Sequence, residues 1–106
     1  MSFRQIILSV LSDFAADAER QRSSDFPPYE MPLSWEDAYY PLVGRRANPD
    51  ALAQFSAAEL AALAGFEELV ASLPPEPAAM WDRANLEDDP WPAIRLEASR
   101  ISELLA

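Results

Sequence analysis

Any chemistry in this chain has to come from carboxylates. Its 106 residues hold 18 Asp and Glu against 8 basic residues, for a formal net charge of -10. Histidine, cysteine, lysine and threonine are all absent, and every basic residue is arginine. That removes the commonest general base, the Schiff-base amine, the thiolate and the imidazole ligand together. A paired-carboxylate hydrolase needs two acids across a cleft, and a di-metal bundle needs Glu-x-x-His motifs that this composition forbids. Asp13, Asp17, Glu67, Glu68, Glu97 and Glu103 fall on the outer faces of helical periodicities, where acids are first read as solvated surface. Glu87, Asp88 and Asp89 in "NLEDDPW" lack the alternating ligands and central glycine of a calcium loop, so they read as capping a helix. The serines have no base and no Gly-x-Ser-x-Gly elbow. Two glycines, Gly44 and Gly65, cannot build a phosphate cradle. Arg45 and Arg46 are expected to pair with neighbouring carboxylates. The expectation is a protein that is not an enzyme, with no catalytic residue, metal ligand or cofactor.

Contact chemistry is better represented. "MPLSWEDAYYPLVGRR", over 31–46, sets aromatic rings among acids. Trp35, Tyr39 and Val43 recur at helical spacing and should cover the end of a core, whereas Tyr40 lies about 100° around the helix from Tyr39 and should face water. An exposed tyrosine offers contact area at low entropic cost, and adjacent acids can pair with a partner's arginine or lysine. "DFPPYEMP", just upstream, extends such a patch on a backbone stiffened by proline. Tyr29, Glu30, Glu36, Asp37 and Tyr40 are thus the candidate protein-binding residues.

The elements that must position them read as helices. Apolar residues at three-and-four spacing trace one stripe over 2–22, with Ser2 as its cap, and the prolines of "SSDFPPYEMP" end it. Phe26 and Tyr29 should pin that loop to the body. Ser34 and Asp37 in "SWED" form a weak capping box for a short helix that Pro41 stops or kinks, with Gly44 as its C-terminal cap. Asn48 and Pro49 begin another short helix with Leu52 and Phe55 inward. Ser56 and Glu59 make a full capping box for a long helix over 57–73, carrying Leu60, Leu63, Phe66, Val70 and Leu73 on one side. The segment "AAMWDRANLEDD" has room for one or two turns. A last helix over 90–105, capped by Asp88 or Asp89, carries Trp91, Ile94, Ala98, Ile101 and Leu105. No stretch alternates like a strand, so the class is all-α: a small irregular helical bundle of three long helices plus short helices, in a single domain over 1–106. "PPYEMPLSWEDA" and "PPEPAAMWDRA" echo each other; coincidence is the preferred reading, and an ancient duplication the alternative.

Charge and composition narrow the partners. A surface this acidic repels phosphate backbones and anionic headgroups, so neither nucleic acid nor membrane is an expected partner, while a basic protein would be drawn to it. The apolar run over 6–11 is too short to span a bilayer and no cleavage site follows it, which points to an unprocessed cytoplasmic chain. Abundant alanine with arginine as the sole base matches a GC-rich bacterial genome. The leading expectation is an inhibitor or immunity-type protein that neutralises a basic partner, such as a toxin nuclease, by occluding its active site. The alternative is an adaptor subunit assembling through Leu69, Leu96 and Leu104, so monomer and homodimer both stay open. A carboxylate-dependent enzyme, which needs a deep pocket with two inward acids, ranks last.

Overall fold

Ser2 starts the first helix as its position predicts. In the computed structural model, which describes residues 1–106, the Ser2 hydroxyl accepts from the Gln5 N–H at 3.1 Å. The Gln5 side chain in turn accepts the Ser2 N–H at 2.8 Å. This capping box opens α1 (Phe3–Ala15), whose buried side is Ile7, Val10, Leu11 and Phe14.

The predicted helix over 2–22 is broken in two. Ala16 leaves helical geometry with ψ 148°, and the Asp17 carboxylate accepts from the Arg20 N–H at 2.8 Å, capping α2 (Ala18–Ser23). The apolar stripe survives the break, which is why periodicity alone does not reveal it. The break orphans carbonyls at the end of α1, and Gln21 supplies the missing donors. Its Nε2 donates to the carbonyls of Asp13 at 3.1 Å and Phe14 at 3.2 Å. Its Oε1 accepts from Arg95 Nε at 3.1 Å and Nη2 at 2.9 Å, and Arg95 also donates to the Leu86 carbonyl. Gln21 is the one buried polar residue, 5% exposed.

A 3-10 turn over Pro28–Glu30 runs into α3 (Met31–Tyr39), with Pro32 in its first turn, where a missing N–H costs nothing. The helix therefore begins three residues before Ser34, and the predicted Ser34–Asp37 capping box does not form. Pro41 lies in a 3-10 turn over Tyr40–Leu42 that follows α3 directly. Gly44 adopts φ 62°, a left-handed conformation that favours glycine, and leads a further 3-10 turn, Gly44–Arg46. This turn geometry rotates Val43 off the helical period: Leu42 is buried and Val43 exposed, contrary to expectation. Phe26 and Tyr29, expected to pin their loop, are each 39% exposed.

Asn48 caps α4 (Pro49–Leu52) through the Asp50 N–H at 2.9 Å, placing Ala51 and Phe55 inside while Leu52 is half-buried. The Ser56–Glu59 capping box opens α5 (Ala57–Ala71) as read. Two 3-10 turns, Ala79–Trp81 and Arg83–Asn85, fill the next segment. Then α6 (Trp91–Leu105) begins at Pro90 with no side-chain cap. Neither Asp88 nor Asp89 caps it as predicted; the backbone carbonyl of Asp88 instead accepts the Trp91 N–H at 3.0 Å.

There is no strand, and the protein is an all-α bundle. The first helix packs against α6 along one side and α3 along another, and α5 packs on α6. The apolar faces merge into one cluster of 22 buried residues. At its centre Phe66 meets Phe14 and Trp35 edge-on, at ring separations of 5.2 and 4.9 Å. The echoed segments adopt different structures, since Trp35 lies in a helix and Trp81 in a 3-10 turn.

A second polar tie closes the other end. Arg4 donates to both Glu59 carboxylate oxygens, at 2.9 and 2.6 Å, to the Gln54 carbonyl at 2.7 Å and to the Leu105 carbonyl. The Arg4 guanidinium and the Ser56 N–H hold the Glu59 carboxyl down to about 2. A carboxyl depressed on folding contributes stability that is whole above its ordinary value near 4.5 and fades as pH falls toward 2. Glu59→Gln, which keeps a capping acceptor, is therefore expected to lower the urea midpoint at pH 7, with the gap to the unmodified protein closing toward pH 2. A pH-independent gap counts against the ion pair. Gln21→Leu is expected to cost about 2 kcal/mol in urea unfolding, because it strands two carbonyls and the Arg95 donors.

Candidate protein-binding face

Because α3 buries Trp35, Ala38 and Tyr39, its opposite side must face water. That side, continued upstream through the 3-10 turn, carries Tyr29, Glu30, Leu33, Glu36, Asp37 and Tyr40, with steps of three or four residues leading from Tyr29 or Glu30 to Leu33, from Leu33 to Glu36 or Asp37, and from these to Tyr40. Tyr29, Leu33 and Tyr40 are 39%, 56% and 49% exposed. Glu36 and Asp37 are exposed and Glu30 half-buried.

The five predicted residues lie on this one ridge but do not share one pocket. Leu33 divides them. Tyr29 and Glu36 open onto a groove of about 480 Å³ between α3 and the end of α5, with Val70, Pro74 and Glu76 on its far wall. Glu30 and Asp37 lie on the other flank, in a shallower depression of about 320 Å³ shared with Phe26 and Ser34. Tyr40 lines neither and packs under Arg46, whose guanidinium carbon is 4.7 Å from its ring centre. Arg46 therefore meets an aromatic face and not the carboxylate expected for it, and neither Arg45 nor Arg46 enters an ion pair.

Glu67, read from the sequence as outer-face acid, holds the groove wall. Its Oε2 accepts from the Trp35 indole N–H at 2.7 Å, while the ring of Trp35 stacks on Tyr39 at 5.0 Å. Burial, with the Glu67 charge second, pushes the Tyr39 phenol upward. No sequence pattern connects Trp35 with Glu67, 32 residues apart. Leu33, by contrast, was within reach: a helix starting at Met31 puts it on the ridge.

The electrostatics are one-sided. The three ion pairs are Arg4–Glu59, Arg22–Glu87 and Arg100–Glu97, so Glu30, Glu36, Asp37, Glu67 and Glu76 enter none. A different cavity of about 400 Å³, lined by Asp13, Arg20, Gln21 and Met31 among others, mixes both signs. Burial there holds the Asp13 carboxyl above its ordinary range. No acids converge into a metal-ligating group, and no helix is long and apolar enough to cross a membrane. The groove of about 480 Å³ is open, and of its acids Glu36 and Glu76 are exposed and Glu67 only half-buried.

Comparison with protein-family models, curated proteins and solved structures finds no match to this chain.

Glu67→Ala strands the buried Trp35 N–H, and is expected to cost about 1–3 kcal/mol in urea unfolding, against less than about 0.5 kcal/mol for the exposed neighbour change Glu68→Ala. Equal effects of the two changes would show that the Trp35–Glu67 bond contributes nothing.

Proposed function

We propose that this protein is a small, non-catalytic acidic binding module that docks a basic protein partner on the outer ridge of α3. The observation that carries the reading is a coincidence of apolar exposure and unpaired charge. Of the nine large hydrophobic side chains that are exposed, five (Phe26, Tyr29, Leu33, Tyr40 and Val43) fall within 26–43. The acids interleaved with them, Glu30, Glu36 and Asp37, have no arginine partner. Tyrosine and leucine supply desolvated contact area, while the carboxylates steer a cationic partner and fix its register. The mechanism is occlusion: the ridge covers a positively charged active site, such as that of a toxin nuclease, and keeps an anionic substrate out. The protein then acts in the compartment of that partner, for which a bacterial cytoplasm is the proposed setting.

A second reading has its own observation. Leu96 and Leu104 on α6 are 62% and 49% exposed and offer a seam for a homodimer or a larger assembly, whereas Leu69 is half-buried against the core. Light scattering separates the two readings, because an obligate oligomer favours the adaptor and a monomer the occluding inhibitor.

The direct test is affinity capture from the source organism with the unmodified protein and with a Tyr40→Ala, Asp37→Ala double variant, eluted with rising salt. The expected result is one basic protein retained stoichiometrically, released by salt, lost from the variant, and inhibited in its own activity when the module is added back. Identical retention by both proteins would falsify this use of the ridge.

A further inference from the structure

The groove beside Leu33 is narrower in its chemistry than the ridge as a whole. One wall is Leu33 and Glu36 from α3; the other is Glu67 and Val70 from α5 with Glu76 from the prolyl loop, and Tyr29 stands at its edge. No basic residue lines it, and none of its three acids is ion-paired. The walls are held before any partner arrives. Glu67 is fixed by the Trp35 N–H, and the prolyl loop by the Trp81 indole, which donates to the Pro74 carbonyl at 2.8 Å. An apolar slot with carboxylates around it suits a side chain that is itself apolar along its stem and cationic at its tip.

We infer that the groove receives an arginine side chain from the basic partner, presented beside an apolar residue. The methylene stem lies against Leu33 and Val70, and the guanidinium sits among Glu36, Glu67 and Glu76. Arginine fits better than lysine on two counts. Its planar fork matches a carboxylate held in one orientation, as Glu67 is, and its face stacks on an aromatic ring such as Tyr29. The inference rests on the proposed docking function and adds the anchor: the acids on the other flank, Glu30 and Asp37, steer the partner, and this groove holds it.

The test uses a fluorescein-labelled peptide of alternating arginine and leucine, followed by polarisation at low salt, with a lysine–leucine peptide for comparison. Two double variants remove the same charge from opposite sides of Leu33: Glu67→Gln with Glu76→Gln in the groove, and Glu30→Gln with Asp37→Asn outside it. Glu67→Gln keeps an acceptor for Trp35, and Leu33→Ala, at an exposed position, probes the slot with no threat to the core. The expected result is about a tenfold loss of arginine-peptide affinity for the groove pair, about fivefold for Leu33→Ala and less than about twofold for the outer pair. The lysine peptide is expected to bind several-fold more weakly than the arginine peptide. Equal losses from the two double variants, equal binding of the two peptides, or no binding at all overturns the arginine anchor. A loss confined to the outer pair also overturns it, but leaves the ridge as a docking surface. The ridge itself stands or falls separately, by capture with the Tyr40→Ala, Asp37→Ala variant.

Discussion

Trp35 fixes what the rest of the surface can be. Its ring fills the space between Phe66 and Tyr39 and is wholly buried, which sets the rotation of α3 about its axis. Its one polar atom has to find a partner once inside, and does so on Glu67. The α3 wall of the groove and the place of Glu67 opposite it follow from that single side chain, while the prolyl loop is tied separately by Trp81. Rotating α3 so that Trp35 is inside turns Leu33, Glu36 and Asp37 outward, and pairing its N–H holds an acid of α5 at the opposite wall. Burial and display are therefore two consequences of one constraint.

The arginines explain why the display is so negative. Arg4, Arg22, Arg83 and Arg95 each donate to backbone carbonyls, at Gln54 and Leu105, at Arg83, at Arg22 and Ser24, and at Leu86 respectively. These are loop and helix-end carbonyls that a chain with so many interrupted helices leaves without intrahelical donors. Half of the eight cations are thus committed to closing the fold. Burial lowers the pKa of Arg95, although a guanidinium stays charged at any ordinary pH. With those arginines spent on backbone oxygens, the acids of the ridge and groove face solvent without counter-charges. A chain that used lysine in these places would lose the several fixed donors that one guanidinium provides.

How much of this the sequence disclosed depended on whether a signal was local. The cap at Ser2, the capping box at Ser56, the Asn48–Pro49 start and the apolar stripes of α5 and α6 are all set by residues within four positions of one another, and each was legible, although the return bond from Gln5 that completes a box at Ser2 was not read. The break at Ala16 was hidden because Asp17 resembles a surface acid until Gln21 is seen to bond the carbonyls that the break exposes. At Ser34 a plausible cap is overridden upstream, where the helix already starts at Met31 with Pro32 in its first turn. The caps assigned to Asp88 and Asp89 failed because Pro90 itself takes the capping position, with a backbone carbonyl in place of a carboxylate. On the ridge, the outward turn of Tyr40 was readable from its angle to Tyr39. The groove was not, since one of its walls comes from α5 and the prolyl loop, more than 30 residues away along the chain, and no periodicity encodes that meeting.

The groove's rigidity bears on how its charges act. Three exposed acids on a mobile loop would attract a cation at long range, yet hold it no better than other surface pairs, about 0–1 kcal/mol each, because ordering the side chains consumes most of the Coulomb gain. Here Glu67 is ordered by the core, and Pro74 and Pro75 restrict the backbone that leads to Glu76. Part of the ordering cost of association is met during folding. The apolar slot adds a contribution that salt does not screen. Association with a cationic partner should then divide into a salt-sensitive encounter, governed by the whole acidic ridge, and a less salt-sensitive dwell time, governed by how completely the side-chain stem is buried against Leu33 and Val70. Net charge alone gives only the first of these. The second requires a shaped apolar surface beside a fixed carboxylate, which is what the placement of Trp35 against Glu67 produces.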